Sequence, residues 1–224
     1  MALLADLQRL FEKTYAQEAG VDLERCVVGR SRCTELAARS GDEGAELSDW
    51  ARFFYYVEDR NLRLAIFYAD DVIAALEARD PRRALTESNV LPFLVFVEEL
   101  SHALHTTFAF ADGGPVRVSA PAFLHELELL ARVDAYLLLR LFVERHARGF
   151  TADDRAWVRH QAVTRWDLPY DDPSLAARYG GAARLAGRFV DHLERLDPSA
   201  RLTELRRLRR LEWSGKRRHI AKLN

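Results

Sequence analysis

The chain is 224 residues long, 49% hydrophobic and 30% charged, which gives it enough apolar content for a sizeable core. Its 33 basic and 34 acidic residues leave a formal net charge of −1, so no global field draws it to nucleic acid or to a membrane surface. No stretch approaches the roughly 18 consecutive apolar residues of a membrane-spanning helix, and none is expected to cross a bilayer.

Leu3, Leu4, Leu7, Leu10, Phe11 and Tyr15 recur at helical spacing, and Gly20 closes this first helix. The segment carries Asp6 and Arg9 and lacks the basic start and cleavage site of a signal peptide, so the expected location is cytoplasmic. Residues 20–48 are less regular. They hold Cys26 and Cys33, too few for a disulfide framework and without nearby histidines or thiols to make a zinc site. Free thiols are the expectation, with one disulfide as the alternative. Residues 40–44 read as an exposed loop.

Residues 51–57 and 62–68 are aromatic and β-branched runs on either side of a polar turn at 58–61, which predicts a hairpin over 51–68. One long helix is the alternative, because short apolar runs are not separated by period alone. A helix over residues 69–80 is stopped by Pro81, and a longer one follows over 91–110, with Ser88 or Asn89 as its N-cap and Pro92 in its first turn. Residues 111–121 read as a loop, including a short strand at 116–118. A second long helix covers 121–146 and ends before Gly149, and Thr151 caps a helix over 152–164. A turn-rich linker at 166–173, a helix over 175–196 and an Arg-rich helix beyond Pro198 complete the chain. The expected fold is α+β and predominantly α-helical, with about seven helices and a small N-terminal β-hairpin or sheet. No linker is long enough to divide it. One domain is expected over residues 1–224, with an N-terminal helix and hairpin (1–80), a helical core (88–164) and C-terminal helices (174–224).

Chemistry concentrates on the helix over 91–110. At about 100° per residue, placing Glu98 at zero puts His102 near 40° and His105 near −20°, with Glu99 on the flank. The opposite arc carries Phe93, Phe96, Val97, Leu100, Leu104 and Phe108, so one side of the helix faces a core while the other gathers donors. Imidazole and carboxylate at these spacings suit a divalent metal. Glu99 and His102 also have the Glu-x-x-His spacing of di-iron and di-manganese helical bundles, although no second such pair occurs.

On the second long helix, Glu126 shares the bearing of Leu130, Val133 and Leu137, and Asp134 lies on the same broad apolar arc. Buried carboxylates there need a partner, and a metal, an arginine or hydrogen bonds from neighbouring helices would serve. Glu128 turns the other way, with Arg132 as its i,i+4 partner.

The leading expectation is a metal-dependent enzyme, hydrolytic rather than oxidative, acting on a small-molecule or peptide substrate. His102, His105 and Glu126 are the expected ligands of a divalent metal, zinc before manganese or iron. Glu98 or Glu99 is the expected general base, and Asp134 and Glu128 are supporting carboxylates behind the ligands. The order of hairpin, donor-bearing helix and carboxylate-bearing helix resembles the layout of zincin-type metallopeptidases at the level of fold analogy. The chain departs from that group's His-Glu-x-x-His run: after His125 and Glu126, Leu129 stands where the second histidine belongs.

The rival expectation is a non-enzymatic helical interaction protein. Its buried carboxylates are satisfied by arginines, and its basic C-terminal helix, striped by Leu202, Leu205, Leu208 and Leu211, supplies the surface for a protein partner. Phosphate contacts through residues 201–224 are the least favoured alternative, because no nucleic-acid-reading motif accompanies the basic run. No Gly-x-Ser-x-Gly elbow and no phosphate-binding glycine loop is present.

Overall fold

The computed structural model describes residues 2–40, 50–146, 149–166 and 176–223. Among these are nine α-helices and a three-stranded sheet, so the fold is predominantly helical as expected, with more helices than the roughly seven read from periodicity. The additions are α2 (Arg30–Ser40), in the stretch read as irregular, and a division of the last basic segment into two helices. The residues read as a loop at 40–44 and a linker at 166–173 lie almost wholly outside the described residues. Among the described residues neither Cys26 nor Cys33 takes part in a disulfide.

The sheet begins with β1 (Val27–Val28), which runs parallel to β3 (Asn61–Tyr68); β3 in turn pairs antiparallel with β2 (Ala51–Glu58). The hairpin joins its strands in register, from Ala51 opposite Tyr68 to Glu58 opposite Asn61. Asp59 and Arg60 both adopt positive φ, 49° and 64°, as a two-residue loop requires if its twist is to match the strands.

α1 (Ala2–Tyr15) buries Leu3, Leu4, Leu7, Phe11 and Tyr15, the residues that set its period. α3 (Asp70–Ala78) follows the hairpin and leads to α4 (Val90–Val118), the central helix. Asn89 stands at the start of α4 without capping it. Its side chain accepts from the Thr86 amide at 2.7 Å and donates to the Arg79 and Ala84 carbonyls, tying the preceding loop together.

The loop and strand expected at 111–121 are instead helical as far as Val118, interrupted by a kink at Gly114, where φ is 63° and ψ is −157°. Glycine alone adopts that geometry readily, and Pro115 restarts the helix with the fixed φ that suits a first turn. The extra helical turn carries Arg117 toward α5.

α5 (Phe123–His146) packs along α4 and is buried on nearly every side. α6 (Ala152–Ala162) opens with a capping box between Thr151 and Asp154, and α7 (Gly181–Glu194) is preceded by a π turn over Ala176–Gly180. α8 (Pro198–Arg210) is capped by Asp197 and lies against α1, where Arg206 donates to the Thr14 carbonyl at 2.8 Å. α9 (Trp213–Ala221) turns back onto α5 and α7. One apolar cluster runs through all of this, from Leu3 to Ile220, with Phe93, Phe96, Leu100, Leu104 and Phe108 of α4 fully buried in it. Each such side chain contributes about 1.5–3 kcal/mol when removed from water. No helix among the described residues is long and apolar enough to cross a membrane.

Candidate metal centre

The polar stripe of α4 is not solvated. His102 is 7% exposed and His105 2%, because α5 lies over this side of the helix. The stripe divides there. The bearings of His102 and His105 differ by about 60°, enough to send one to each side of α5.

On one side, Glu98 and His102 meet Glu128 and Arg132 of α5. A carboxylate oxygen of Glu98, a ring nitrogen of His102 and a carboxylate oxygen of Glu128 all lie within 4.8 Å of one another, the one such donor cluster among the described residues. Two atoms bound to one cation about 2.0–2.2 Å away can be at most roughly 4.4 Å apart, so small side-chain adjustments would close the set. Glu99 accepts from Nδ1 of His102 at 3.4 Å, which fixes the ring and leaves Nε2 toward Glu128. That Nε2 and the Oε2 of Glu128 are 3.9 Å apart, too far for a hydrogen bond, and neither has a hydrogen-bond partner although both are buried. Such orphaned atoms are uncommon, and each demands an explanation.

Two guanidiniums brace the carboxylates. Arg132 grips both oxygens of Glu98, at 3.1 and 3.2 Å, rather than serving Glu128 one turn before it. Arg178, from the π turn, reaches Oε1 of Glu128 at 2.6 and 3.0 Å. Burial pushes the Glu98 carboxyl up against the pull of Arg132. For His102, burial works against the charged ring, but its hydrogen bond to Glu99 and the charges of Glu128, Glu99 and Glu98 outweigh it and raise its pKa. Burial and the Glu128 charge likewise hold the Tyr179 phenol protonated, well above its ordinary range.

His105, expected as a ligand, faces the other side of α5 and donates Nε2–H to the Asp134 carboxylate at 2.8 Å. Ser101 donates to the same Asp134 oxygen at 2.6 Å, and Tyr15 donates to the other. Asp134 therefore stands behind His105, not behind the donor cluster.

Glu126, expected to complete the metal set, is absent from it. Its carboxylate accepts from Arg117 at 2.9 Å, from the Trp213 amide at 2.8 Å and from Lys216 at 2.8 Å, so it fastens the start of α9 to the core. The carboxylate that does join is Glu128, which the helical wheel had turned away. The available signal was the breadth of apolar residues around α5: a helix with no solvated side offers every polar position to a buried partner. Arg178 carried no signal in its local sequence.

No protein-family model, no curated protein and no solved structure matches this chain.

Proposed function

We propose that Glu98, His102 and Glu128 hold a divalent cation and that the chain is a metal-dependent enzyme, hydrolytic rather than oxidative, acting on a small molecule or peptide. The observation that carries this reading is the pair of buried, unpartnered donors, His102 Nε2 and Glu128 Oε2, facing each other across 3.9 Å. A cation between them would satisfy both. Two carboxylates and one imidazole suit zinc first, and manganese or iron next. With three protein ligands the ion keeps a position for water, whose proton it would make easier to remove. Glu99 orients the imidazole through Nδ1 rather than acting as the base, and Arg132 and Arg178 hold the two carboxylates in place. Two cysteines outside any disulfide suit a reducing compartment such as the cytoplasm.

Elemental mass spectrometry of the purified, untagged protein tests the reading. The expected result is near-stoichiometric zinc, manganese or iron, lost in His102→Ala and in Glu128→Gln while helical circular dichroism is retained. Protein that stays metal-free after incubation with each ion overturns it.

The arginines favour a second reading, in which Glu98 and Glu128 belong to an internal ion-pair network and the chain is an interaction protein. Its partner surface would be α8 and α9, where Arg207, Arg218, His219 and Lys222 line a groove of about 360 Å³. An acidic protein partner fits that surface, as would weak phosphate contacts through residues 201–224. Either predicts binding that collapses with salt and with neutralisation of Arg207 and Arg218, and no metal dependence.

A further inference from the structure

A second polar centre lies behind the first and is independent of it. Between α4, α5 and α8 is a cavity of about 40 Å³, lined by His105, Asp112, Arg117, Glu126, Arg209 and Arg210, among others. At about 10–15 Å³ each, it has room for roughly three water-sized atoms. Two of its lining residues carry buried nitrogens without any hydrogen-bond partner: Nδ1 of His105 and Nε of Arg209. Both side chains are more than nine-tenths buried. Each side chain is anchored through another atom. His105 bonds Asp134 through Nε2, and Arg209 donates to Asp112 at 2.9 Å while its guanidinium lies over the Phe108 ring.

The two orphans have opposite demands. With Nε2–H of His105 donated to the Asp134 carboxylate, Nδ1 is a bare lone pair that needs a donor. Burial lowers the His105 pKa and outweighs the charge and hydrogen bond of Asp134, which raise it; the charges of Arg209 and Lys216 add to the lowering and favour the neutral ring. The Nε–H of Arg209 is always a donor and needs an acceptor. A guest that satisfies both must present an O–H and an oxygen acceptor together. The local charge adds a third condition. Arg117, Arg209, Arg210 and Lys216 outnumber Asp112, Glu126 and Asp134 by one, so one negative charge would balance the site. Arg210 is exposed, and no carboxylate lies within ion-pair distance of it among the described residues, which leaves a free cation on the wall of the cavity.

We propose that this cavity is a binding site for a small, singly charged oxyanion that keeps one proton, of the size and class of bicarbonate. Its hydroxyl donates to His105 Nδ1, and another oxygen accepts from Arg209 Nε–H. Asp134 positions the histidine, and Arg210 draws the anion inward.

Nitrate makes a sharp comparison, because it is planar and singly charged like bicarbonate but has no hydroxyl. Protein labelled with ¹⁵N-histidine is titrated at neutral pH and constant ionic strength with sodium bicarbonate, nitrate or chloride, and the His105 ring nitrogens are followed by NMR. The His105 signals are identified by their loss in His105→Gln. The expected result is a saturable shift of His105 Nδ1 with bicarbonate, at least about ten-fold tighter than with nitrate, since a site built for a hydroxyl leaves a buried acceptor unmet without one. Arg210→Ala, an exposed change that spares the core, is expected to weaken bicarbonate binding several-fold. No saturable shift, which would leave a cavity filled by water only, overturns the proposal. So does an equal response to nitrate or chloride, or bicarbonate affinity unchanged in Arg210→Ala. None of these outcomes depends on whether Glu98, His102 and Glu128 bind metal.

Discussion

Lys216 places its ammonium 2.8 Å from Glu126, with none of its side chain exposed, and also donates to the backbone carbonyls of Arg209 and Leu211. Together with the Trp213 amide, which bonds the same carboxylate, this contact joins the C-terminal pair of helices to α5. Burial lowers the Lys216 pKa to about 8 from its ordinary 10.5; Glu126 opposes the shift, and Arg117 and Arg209 add to it.

Stability should therefore rise with pH across that interval. Below about pH 8 both the folded and unfolded states carry the charge, and the cost of burying it is borne in full. Between about 8 and 10.5 the unfolded state binds more protons than the folded one, so this cost is relieved as pH rises. The full relief is on the order of 3 kcal/mol at about 1.4 kcal/mol per pKa unit. Urea denaturation of wild type and Lys216→Met at several pH values measures it as a difference. The wild type should gain stability relative to the variant as pH rises, and a constant difference would refute the argument.

Asp134 accepts from Tyr15, Ser101 and His105 while buried completely. Asp134→Asn sets an amide against three donors and is expected to cost about 3 kcal/mol or more of folding stability. Metal uptake should survive, because Asp134 touches none of the donor cluster. Loss of metal in a variant that remains folded would move Asp134 back into the metal site.

Gly114 is held at φ 63° and ψ −157°, with nothing near the position a Cβ would take. The cost of Gly114→Ala is thus backbone strain rather than a clash, about 1–3 kcal/mol by thermal or urea denaturation. The strain falls where the chain turns so that Arg117 can reach Glu126. A neutral substitution would mean that the kink is not required for this ion pair.

What the sequence made legible is what period alone determines. The apolar arc of α4 is buried as the wheel arranged it, and the alternating runs at 51–68 pair as a hairpin. The partners of the polar residues were not legible, and α5 explains why. A wheel assigns polar residues to one side on the premise that one side meets water, yet Glu126, Glu128, Arg132 and Asp134 are all buried at different bearings on the same helix. Their partners include Lys216 of α9, Arg178 of the π turn, Glu98 of α4 and Tyr15 of α1. Those pairings span dozens of residues, and no local spacing encodes them. The extension of α4 beyond Gly114 was hidden for another reason, since two glycines followed directly by a proline ordinarily end a helix.

Glu99 sits at the junction of the two protonation states that the donor cluster can adopt. In the metal-free protein its hydrogen bond helps raise the His102 pKa, so His102 contributes stability below the unfolded value of about 6.5 and loses it as pH rises through the raised folded value. A cation requires the neutral ring and the ionised Glu98, whose carboxyl is also shifted upward. Metal affinity should consequently increase as pH is raised through the range where His102 deprotonates, with protons released on binding. Glu99→Leu keeps all three proposed ligands but removes the acceptor at Nδ1. It is expected to weaken metal binding by about 10- to 100-fold, and to lower the pKa of His102 in the metal-free protein as followed by NMR. A merely structural Glu99 would move the melting temperature without moving that titration. An unchanged His102 titration together with unchanged metal affinity would remove Glu99 from the site.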